Sequence, residues 1–167
     1  MRKPILPWLG LTAIWLITDQ FSKLWVQSAL VLGESVSIAS FFNFVHVMNP
    51  GAAFSFLASQ SGWQRHFLAI LATVAALVIL YLMRQSSHRR LSMFSLSSVL
   101  AGALGNLIDR LAHGAVIDFL DFYYQNYHFP AFNVADIAIS LGAAGLILDE
   151  LFFRKNQTNP PRIAFIR

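Results

Sequence analysis

The sequence predicts an α-helical integral membrane protein with four membrane-spanning helices, a small surface sheet and a short amphipathic helix. Of its 167 residues, 56% are hydrophobic and 12% are charged, whereas a soluble domain is roughly 45–50% apolar and about 25% charged. The apolar residues form four long runs, and the basic residues lie at the ends of those runs. The length suits a single membrane-embedded domain over residues 1–167.

Each apolar run is long enough to cross a bilayer, because about 20 helical residues span the hydrocarbon core. The first run follows a short basic tail, as a signal peptide does, but its length and its charged Asp19 and Lys23 favour a retained helix. Asp19 and Lys23 are four residues apart and share a helix face. A structural ion pair and a substrate contact are equally open interpretations. The predicted spans are about 6–29, 63–83, 91–108 and 134–153.

The distribution of basic residues predicts the orientation of these spans. Lysine and arginine are concentrated before the first span, between the second and third, and after the fourth. By the positive-inside rule these regions are cytoplasmic, which leaves residues 30–62 and 109–133 on the external, periplasmic side. The net charge of +4 is therefore interpreted as membrane topology, and no nucleic-acid partner is expected.

The first external region has two different patterns. Residues 36–49, VSIASFFNFVHVMN, are rich in β-branched and aromatic side chains, which predicts short strands in a small sheet at the membrane surface. Residues 52–62, AAFSFLASQSG, have apolar side chains at helical spacing. This pattern is typical of a short amphipathic helix lying in the interface.

The third span ends with polar residues on one face. Gly102, Asn106 and Asp109 follow one another at helical spacing, and Arg110 lies beside them. Charged groups near a membrane are costly and indicate a functional site. Buried ions usually need partners, so we expect Asp109 and Arg110 to form a local ion pair that braces such a site.

Four carboxylates occur between Gly102 and the start of the fourth span: Asp109, Asp118, Asp121 and Asp136. Asp118 follows the β-like stretch GAVIDF, and Asp136 begins the fourth helix in FNVAD, one turn after Asn133. If Asp118 and Asp136 are close together, they share one proton and form an aspartic-protease pair that activates water. The spacing predicts a similar membrane depth for the two residues, but not contact.

Several other chemistries lack their sequence patterns. There is no cysteine, no HExxH zinc motif and no GxSxG elbow, and the five histidines are scattered. Hard cations bind carboxylate oxygens, so a metal site built from the four aspartates stays an alternative; we expect no metal and no cofactor. A proton-coupled carrier or channel and a non-enzymatic scaffold are further alternatives. The carrier needs charges along a path through the bilayer, and the scaffold leaves the acidic cluster unexplained.

Five motifs in order carry a resemblance to a known family: ITDQFSK, NPGAAFSFL, GALGNLIDR, VIDFLDFY and FPAFNVADIAI. Over nearly its whole length the chain resembles bacterial lipoprotein signal peptidase, also called signal peptidase II or prolipoprotein signal peptidase, an aspartic peptidase family. The proline in NPG is a small departure from the family pattern.

The resemblance implies four transmembrane helices, a periplasmic β-cradle and a periplasmic amphipathic helix in the bacterial inner membrane. It implies an endopeptidase that cuts on the amino side of the diacylglyceryl-modified cysteine of a prolipoprotein. Partners would be this substrate, membrane lipids and a globomycin-type inhibitor, and the enzyme is expected to be a monomer. As a hypothesis, the segment Phe54–Ala58 closes over the substrate as a lid.

The resemblance also implies roles for individual residues. Asp118 and Asp136 match the catalytic dyad. The supporting or substrate-binding positions are Asp19, Lys23, Asn49, Gly102, Asn106, Asp109, Arg110, Asn133 and Ala135.

Overall fold

A computed structural model describes residues 4–51, 63–85 and 89–157 of the chain. The predicted amphipathic helix over residues 52–62, with its proposed lid at Phe54–Ala58, lies outside the described residues. The architecture is mainly helical with one small antiparallel sheet, and this part of the predicted fold class is confirmed.

The strands come from two separate segments of the chain, and they join in one sheet at one end of the helix bundle. One helix precedes two strands, two helices follow, and two more strands lead into the last helix. The helices are α1 (Leu6–Ala29), α2 (Trp63–Gln85), α3 (Arg90–His113) and α4 (Val134–Gln157). The strands are β1 (Ser35–Ala39), β2 (Phe42–Asn49), β3 (Val116–Tyr124) and β4 (Tyr127–His128).

Helix α3 is the centre of the bundle and packs against the other three helices. Its buried residues are mostly small, and small side chains let helix backbones come close together. A Cβ atom added at Gly102 would collide with the backbone carbonyl of Ala135 and with Ile139 on α4. Glycine at this position therefore sets how closely α3 and α4 pack.

Helices α2 and α3 are long and apolar enough to cross a membrane, with mean hydropathies of 2.4 and 1.6 over their most apolar windows. The outward faces of the bundle are also apolar: Ile17, Phe21, Ile70 and Leu77 are each more than 60% exposed. Such a surface suits lipid, because large exposed apolar areas are unusual on soluble monomers.

The four strands form a sheet in the order β1-β2-β3-β4. The strands predicted within residues 36–49 are present as β1 and β2, and β3 pairs with β2 through Asp118 opposite Val47 and Asp121 opposite Asn43. Because side chains alternate along a strand, Asp118 and Asp121 point to opposite faces of the sheet. Asp118 faces the helices, and Asp121 belongs to a separate cluster on the opposite face.

Helix α3 continues to His113, beyond the predicted end of the third span at residue 108. It ends at Gly114, whose φ of 80° is the left-handed conformation that glycine adopts at helix ends. Asp109 and Arg110 therefore project from a regular helix and not from a loop. This gives them fixed directions toward α1 and the sheet.

Candidate active site

A cavity of about 750 Å³ lies between α2, α3, α4 and the sheet. Its polar end contains both Asp118 and Asp136, although they are 18 positions apart in the sequence, with a hairpin between them. The rest of the lining is largely apolar. The lining residues are Asn49, Leu68, Leu71, Ala72, Ala75, Val99, Ala103, Asn106, Arg110, Val116, Asp118, Phe129, Pro130, Ala131, Phe132, Asp136, Ile137, Ile139, Ser140 and Leu141.

Asp118 is a buried carboxylate held by two amide groups. Asn49 donates to its Oδ2 at 3.0 Å, and Asn133 donates to its Oδ1 at 2.7 Å. The pKa of Asp118 is raised to about 7, mainly by burial and also by the nearby charge of Asp136, whereas the two hydrogen bonds oppose the rise. Asp118 therefore changes its protonation state near neutral pH.

Asp136 lies in the first turn of α4 and takes part in a reciprocal cap. Its backbone N–H donates to Oδ1 of Asn133 at 3.0 Å, and its Oδ2 accepts from the backbone N–H of Asn133 at 3.3 Å. This is the capping-box arrangement, here with Asn and Asp. Asn106 of α3 donates to the other oxygen, Oδ1, at 2.9 Å.

Asn133 links the two carboxylates, because its amide nitrogen binds Asp118 while its amide oxygen caps the helix that carries Asp136. The side chain is completely buried. A buried amide with all its hydrogen bonds in fixed directions holds both partners in place. One residue thus sets the relative position of β3 and the start of α4.

A buried charge cluster lies directly behind the pair. Lys23 Nζ is 2.8 Å from both Asp19 Oδ2 and Asp109 Oδ2, and it also donates to Asn106 Oδ1 at 3.1 Å. The sequence suggested a local pair between Asp109 and Arg110, whereas the salt bridge of Asp109 joins it to Lys23 on α1. Asp19 and Lys23, four residues apart on α1, form the ion pair that their spacing predicted.

This cluster also ties α1 to the elements that carry the site. Asp19 Oδ1 accepts from the backbone N–H of Ala135 at 2.8 Å, and Asp109 Oδ2 accepts from that of Ile117 at 3.2 Å. Ala135 precedes Asp136, and Ile117 precedes Asp118. Each carboxylate of the cluster therefore fixes the backbone beside one member of the candidate pair.

The remaining predicted residues border the same region. Arg110 donates to the backbone carbonyls of Gly51 at 3.1 Å and of Asn106 at 3.2 Å, and it lines the cavity. Gly102 lies one turn before Asn106 at the contact with Ala135.

Gln20 is a site residue that sequence reasoning missed. Its Nε2 donates at 3.1 Å to both Asp19 Oδ2 and Asp109 Oδ1, so it bridges the two carboxylates beside Lys23. Its position next to Asp19 in ITDQFSK was the available signal, but neighbouring helix residues do not normally share a face.

Asp121 does not join this group. Its Oδ2 accepts from Asn43 at 2.9 Å, and both its oxygens lie 2.9 Å from Nδ1 of His128. Within the described part of the chain, no three histidine, aspartate or glutamate side chains converge as a metal site requires. Asp118 and Asp136 thus share the cavity, Asp109 belongs to the cluster around Lys23, and Asp121 has a third environment.

The family model described as signal peptidase (SPase) II matches residues 11–152. The chain belongs to this family. It is therefore a peptidase by family, as the sequence motifs indicated.

Curated relatives named lipoprotein signal peptidase support the assignment. The protein from Ralstonia nicotianae is 52% identical over 145 residues, which cover 87% of this chain and 84% of the relative. The protein from Janthinobacterium sp. is 50% identical over 147 residues, covering 88% and 89% respectively.

Two solved structures described as bacterial membrane enzymes have the same fold. One superposes with a TM-score of 0.82 at 26% identity and covers 99% of this chain and 98% of its own. The other gives 0.80 at 26% identity, with coverages of 90% and 96%. Together with the two long apolar helices, this similarity identifies a membrane protein.

Proposed function

We propose that the chain is a membrane aspartic endopeptidase that removes the signal peptide from diacylglyceryl-modified prolipoproteins. The bond cut lies on the amino side of the lipidated cysteine, and the attacking water is activated by Asp118 and Asp136. One observation carries the proposal: both carboxylates line one cavity and are linked by the same buried asparagine, Asn133. The family membership and the names of the curated relatives support it.

The chemistry needs one proton shared by the pair. The pKa of about 7 for Asp118 favours, near neutral pH, a state in which one carboxyl holds a proton beside an ionised partner. The ionised member takes a proton from water as the water oxygen attacks the scissile carbonyl carbon. The protonated member donates a hydrogen bond to the carbonyl oxygen. A proton then passes to the leaving amide nitrogen, and the C–N bond breaks with no covalent intermediate.

The surrounding groups keep this pair in position. Asn49, Asn106 and Asn133 donate to the carboxylates, and the fixed amide dipoles need little reorganisation during reaction. Lys23 and Arg110 are the nearby cations, and Arg110 also lines the cavity. We assign Asp19, Asp109, Gly102 and Ala135 a supporting role, because they fix the helices and backbone around the pair.

The shape of the cavity suits an apolar helical substrate with one polar end. Leu68 and Leu71 on α2, Val99 and Ala103 on α3 and Ile139 on α4 form the apolar part, and the carboxylates lie at the other end. A signal peptide is an apolar helix, so it would enter from the bilayer along this surface. A globomycin-type inhibitor would occupy the same cavity.

The membrane arrangement completes the proposal. All four helices cross the bacterial inner membrane, both termini are cytoplasmic, and the site faces the periplasm with the sheet as a cradle. The basic residues of the sequence support this orientation. The enzyme acts as a monomer among membrane lipids and needs no cofactor.

The proposal is tested by cleavage of a diacylglyceryl-modified prolipoprotein with the purified protein. Asp118→Asn and Asp136→Asn should each lower the rate by roughly 10²–10⁴-fold, the usual contribution of a general acid or base. Asp149→Asn is the matched control, because Asp149 pairs with Arg89 away from the cavity. Thermal melting establishes that each variant is folded.

Two results would overturn parts of the proposal. A folded Asp118→Asn or Asp136→Asn that cleaves at the wild-type rate would remove that residue from the dyad. A folded wild-type protein that never cleaves the lipidated substrate would remove the peptidase assignment for this substrate class.

A further inference from the structure

A second polar cluster lies on the sheet face opposite to Asp118. Asp121 of β3 is almost buried, with 9% of its side chain exposed, and Asn43 faces it directly from β2. His128 of β4 is 53% exposed and closes the cluster from the other side. The three residues come from three adjacent strands, and the chemistry of the candidate pair uses none of them.

The contacts within this cluster are short and directional. Asn43 Nδ2 donates to Asp121 Oδ2 at 2.9 Å, and Nδ1 of His128 lies 2.9 Å from both carboxylate oxygens. Because carboxylate oxygens accept hydrogen bonds, we assign the N–H of Nδ1 as the donor to Asp121. The imidazole ring also stacks on Tyr123, its cross-strand neighbour, with ring centres 5.2 Å apart.

The cluster adjoins a wall of the cavity. Residues 129–132, directly after His128, line the cavity together with Asp118 and Asp136. At the start of this wall, Phe129 N–H donates to the Phe122 carbonyl at 2.8 Å. The short strand β4 has only two residues, Tyr127 and His128. Its backbone pairing alone is a weak anchor for the wall, because two-stranded pairing of such length is marginal.

We propose that Asn43, Asp121 and His128 form a latch that positions the wall 129–132 against the substrate. The assignment rests on the proposed function, since the cavity is taken as the substrate site. His128 and Asp121 are positioning residues: they touch neither the reacting atoms nor the candidate pair. The latch acts by keeping the apolar wall in its substrate-binding position before substrate arrives.

The other end of the wall is anchored independently of the latch. Phe132 exchanges backbone hydrogen bonds with Leu120 at 2.9 and 3.1 Å, and its carbonyl also accepts from Phe119. Asn133 is held by its own bonds to Asp118 and Asp136. Opening the latch therefore loosens the wall near Phe129 and leaves the carboxylate pair in place. The expected effect is on KM and not on kcat.

His128→Phe is the informative variant, because phenylalanine keeps a ring to stack on Tyr123 but has no N–H to donate. Its KM for the lipidated substrate should rise about 3- to 10-fold, the effect of losing one ordering hydrogen bond, with kcat within about twofold of wild type. His128→Asn should restore the wild-type KM, because its amide places a donor near the position of Nδ1. Tyr127→Ala, at a side chain that is 80% exposed on the same strand, is the control and should keep the wild-type KM.

Amide hydrogen exchange provides a readout that does not depend on cleavage. Peptides covering residues 129–132 should exchange faster in His128→Phe than in wild type and His128→Asn, whereas peptides covering the start of α4 should not change. This measurement tests the latch even if the wild-type protein fails to cleave the substrate, a result that would count against the proposed function alone.

The latch is overturned by any of three results. The first is that KM and exchange are both unchanged in His128→Phe. The second is that this variant loses kcat at constant KM, as a partly unfolded enzyme would. The third is that His128→Asn behaves like His128→Phe, which would show that the donated hydrogen bond is not what matters.

Discussion

Asp118→Asn should make the protein more stable at alkaline pH while it lowers the rate of cleavage by roughly 10²–10⁴-fold. The carboxylate of Asp118 is buried, and its pKa rises from 3.8 to about 7. One pKa unit corresponds to about 1.36 kcal/mol, so ionised Asp118 destabilises the folded state above pH 7 by about 4 kcal/mol. A neutral amide of nearly the same shape avoids this cost.

The raised pKa already includes the hydrogen bonds from Asn49 and Asn133, which oppose the rise. The net gain from the amide is smaller, because its NH₂ group cannot accept the hydrogen bond of one of these two donors, and an unpaired buried donor costs about 1–3 kcal/mol. We therefore expect a net stabilisation of about 2 kcal/mol at pH 8. In a chain of this length that is about 4–8 °C in Tm.

The pH dependence has a definite sign. Between pH 4 and pH 7 the folded state keeps a proton on Asp118 that the unfolded chain releases, so wild-type stability falls as the pH rises through this window. At pH 4, close to the ordinary aspartate pKa, the unfolded chain still holds roughly 40% of that proton. The cost of ionisation is then small, and the stability advantage of Asp118→Asn over wild type should disappear. The gap should be greatest above pH 7.

The assay is thermal melting of the detergent-solubilised proteins at pH 4 and pH 8, with Asp149→Asn as the control for loss of a carboxylate elsewhere. If Asp118→Asn melts at or below the wild-type temperature at pH 8, burial does not destabilise this carboxylate and the reasoning is refuted. A gap of equal size at both pH values would also contradict it, because it would not depend on ionisation.

Two further predictions concern the packing around the pair. Lys23→Met should lower the free energy of unfolding by about 3–5 kcal/mol, because it leaves Asp19 and Asp109 buried without their cation; an unchanged melting temperature would show that the cluster does not depend on this charge. Gly102→Ala should lower it by about 1–3 kcal/mol and reduce cleavage, because the added methyl group pushes α4 away from α3. Gly10→Ala is its control, because nothing lies within 4 Å of the added atom. Equal melting temperatures of the two glycine variants would contradict the packing argument.

Much of the helical framework could be predicted from the sequence, because it depends on local patterns. Long apolar runs predict helices where α1 to α4 occur, and the β-branched and aromatic stretch predicts the strands β1 and β2. The spacing of Asp19 and Lys23 predicts their ion pair, since residues four apart share a helix face. The motifs indicated the signal peptidase II family, which the family match confirms.

Contacts between distant segments could not be predicted in this way. Asp109 has Lys23 as its salt-bridge partner and not Arg110, because the rotation of α3 against α1 decides which carboxylate meets the lysine. Gln20 enters the same cluster for the same reason.

The sequence by itself determined which residues could carry chemistry: hydropathy predicts long apolar helices, and ionisable groups in apolar surroundings are few. Only the tertiary structure decided how they are grouped. Strand alternation and the pairing of β2, β3 and β4 send Asp118 to the cavity and Asp121 to His128 on the opposite face. Two aspartates three residues apart look alike in the sequence, and the register of the sheet separates them, since each step along a strand reverses the side-chain direction.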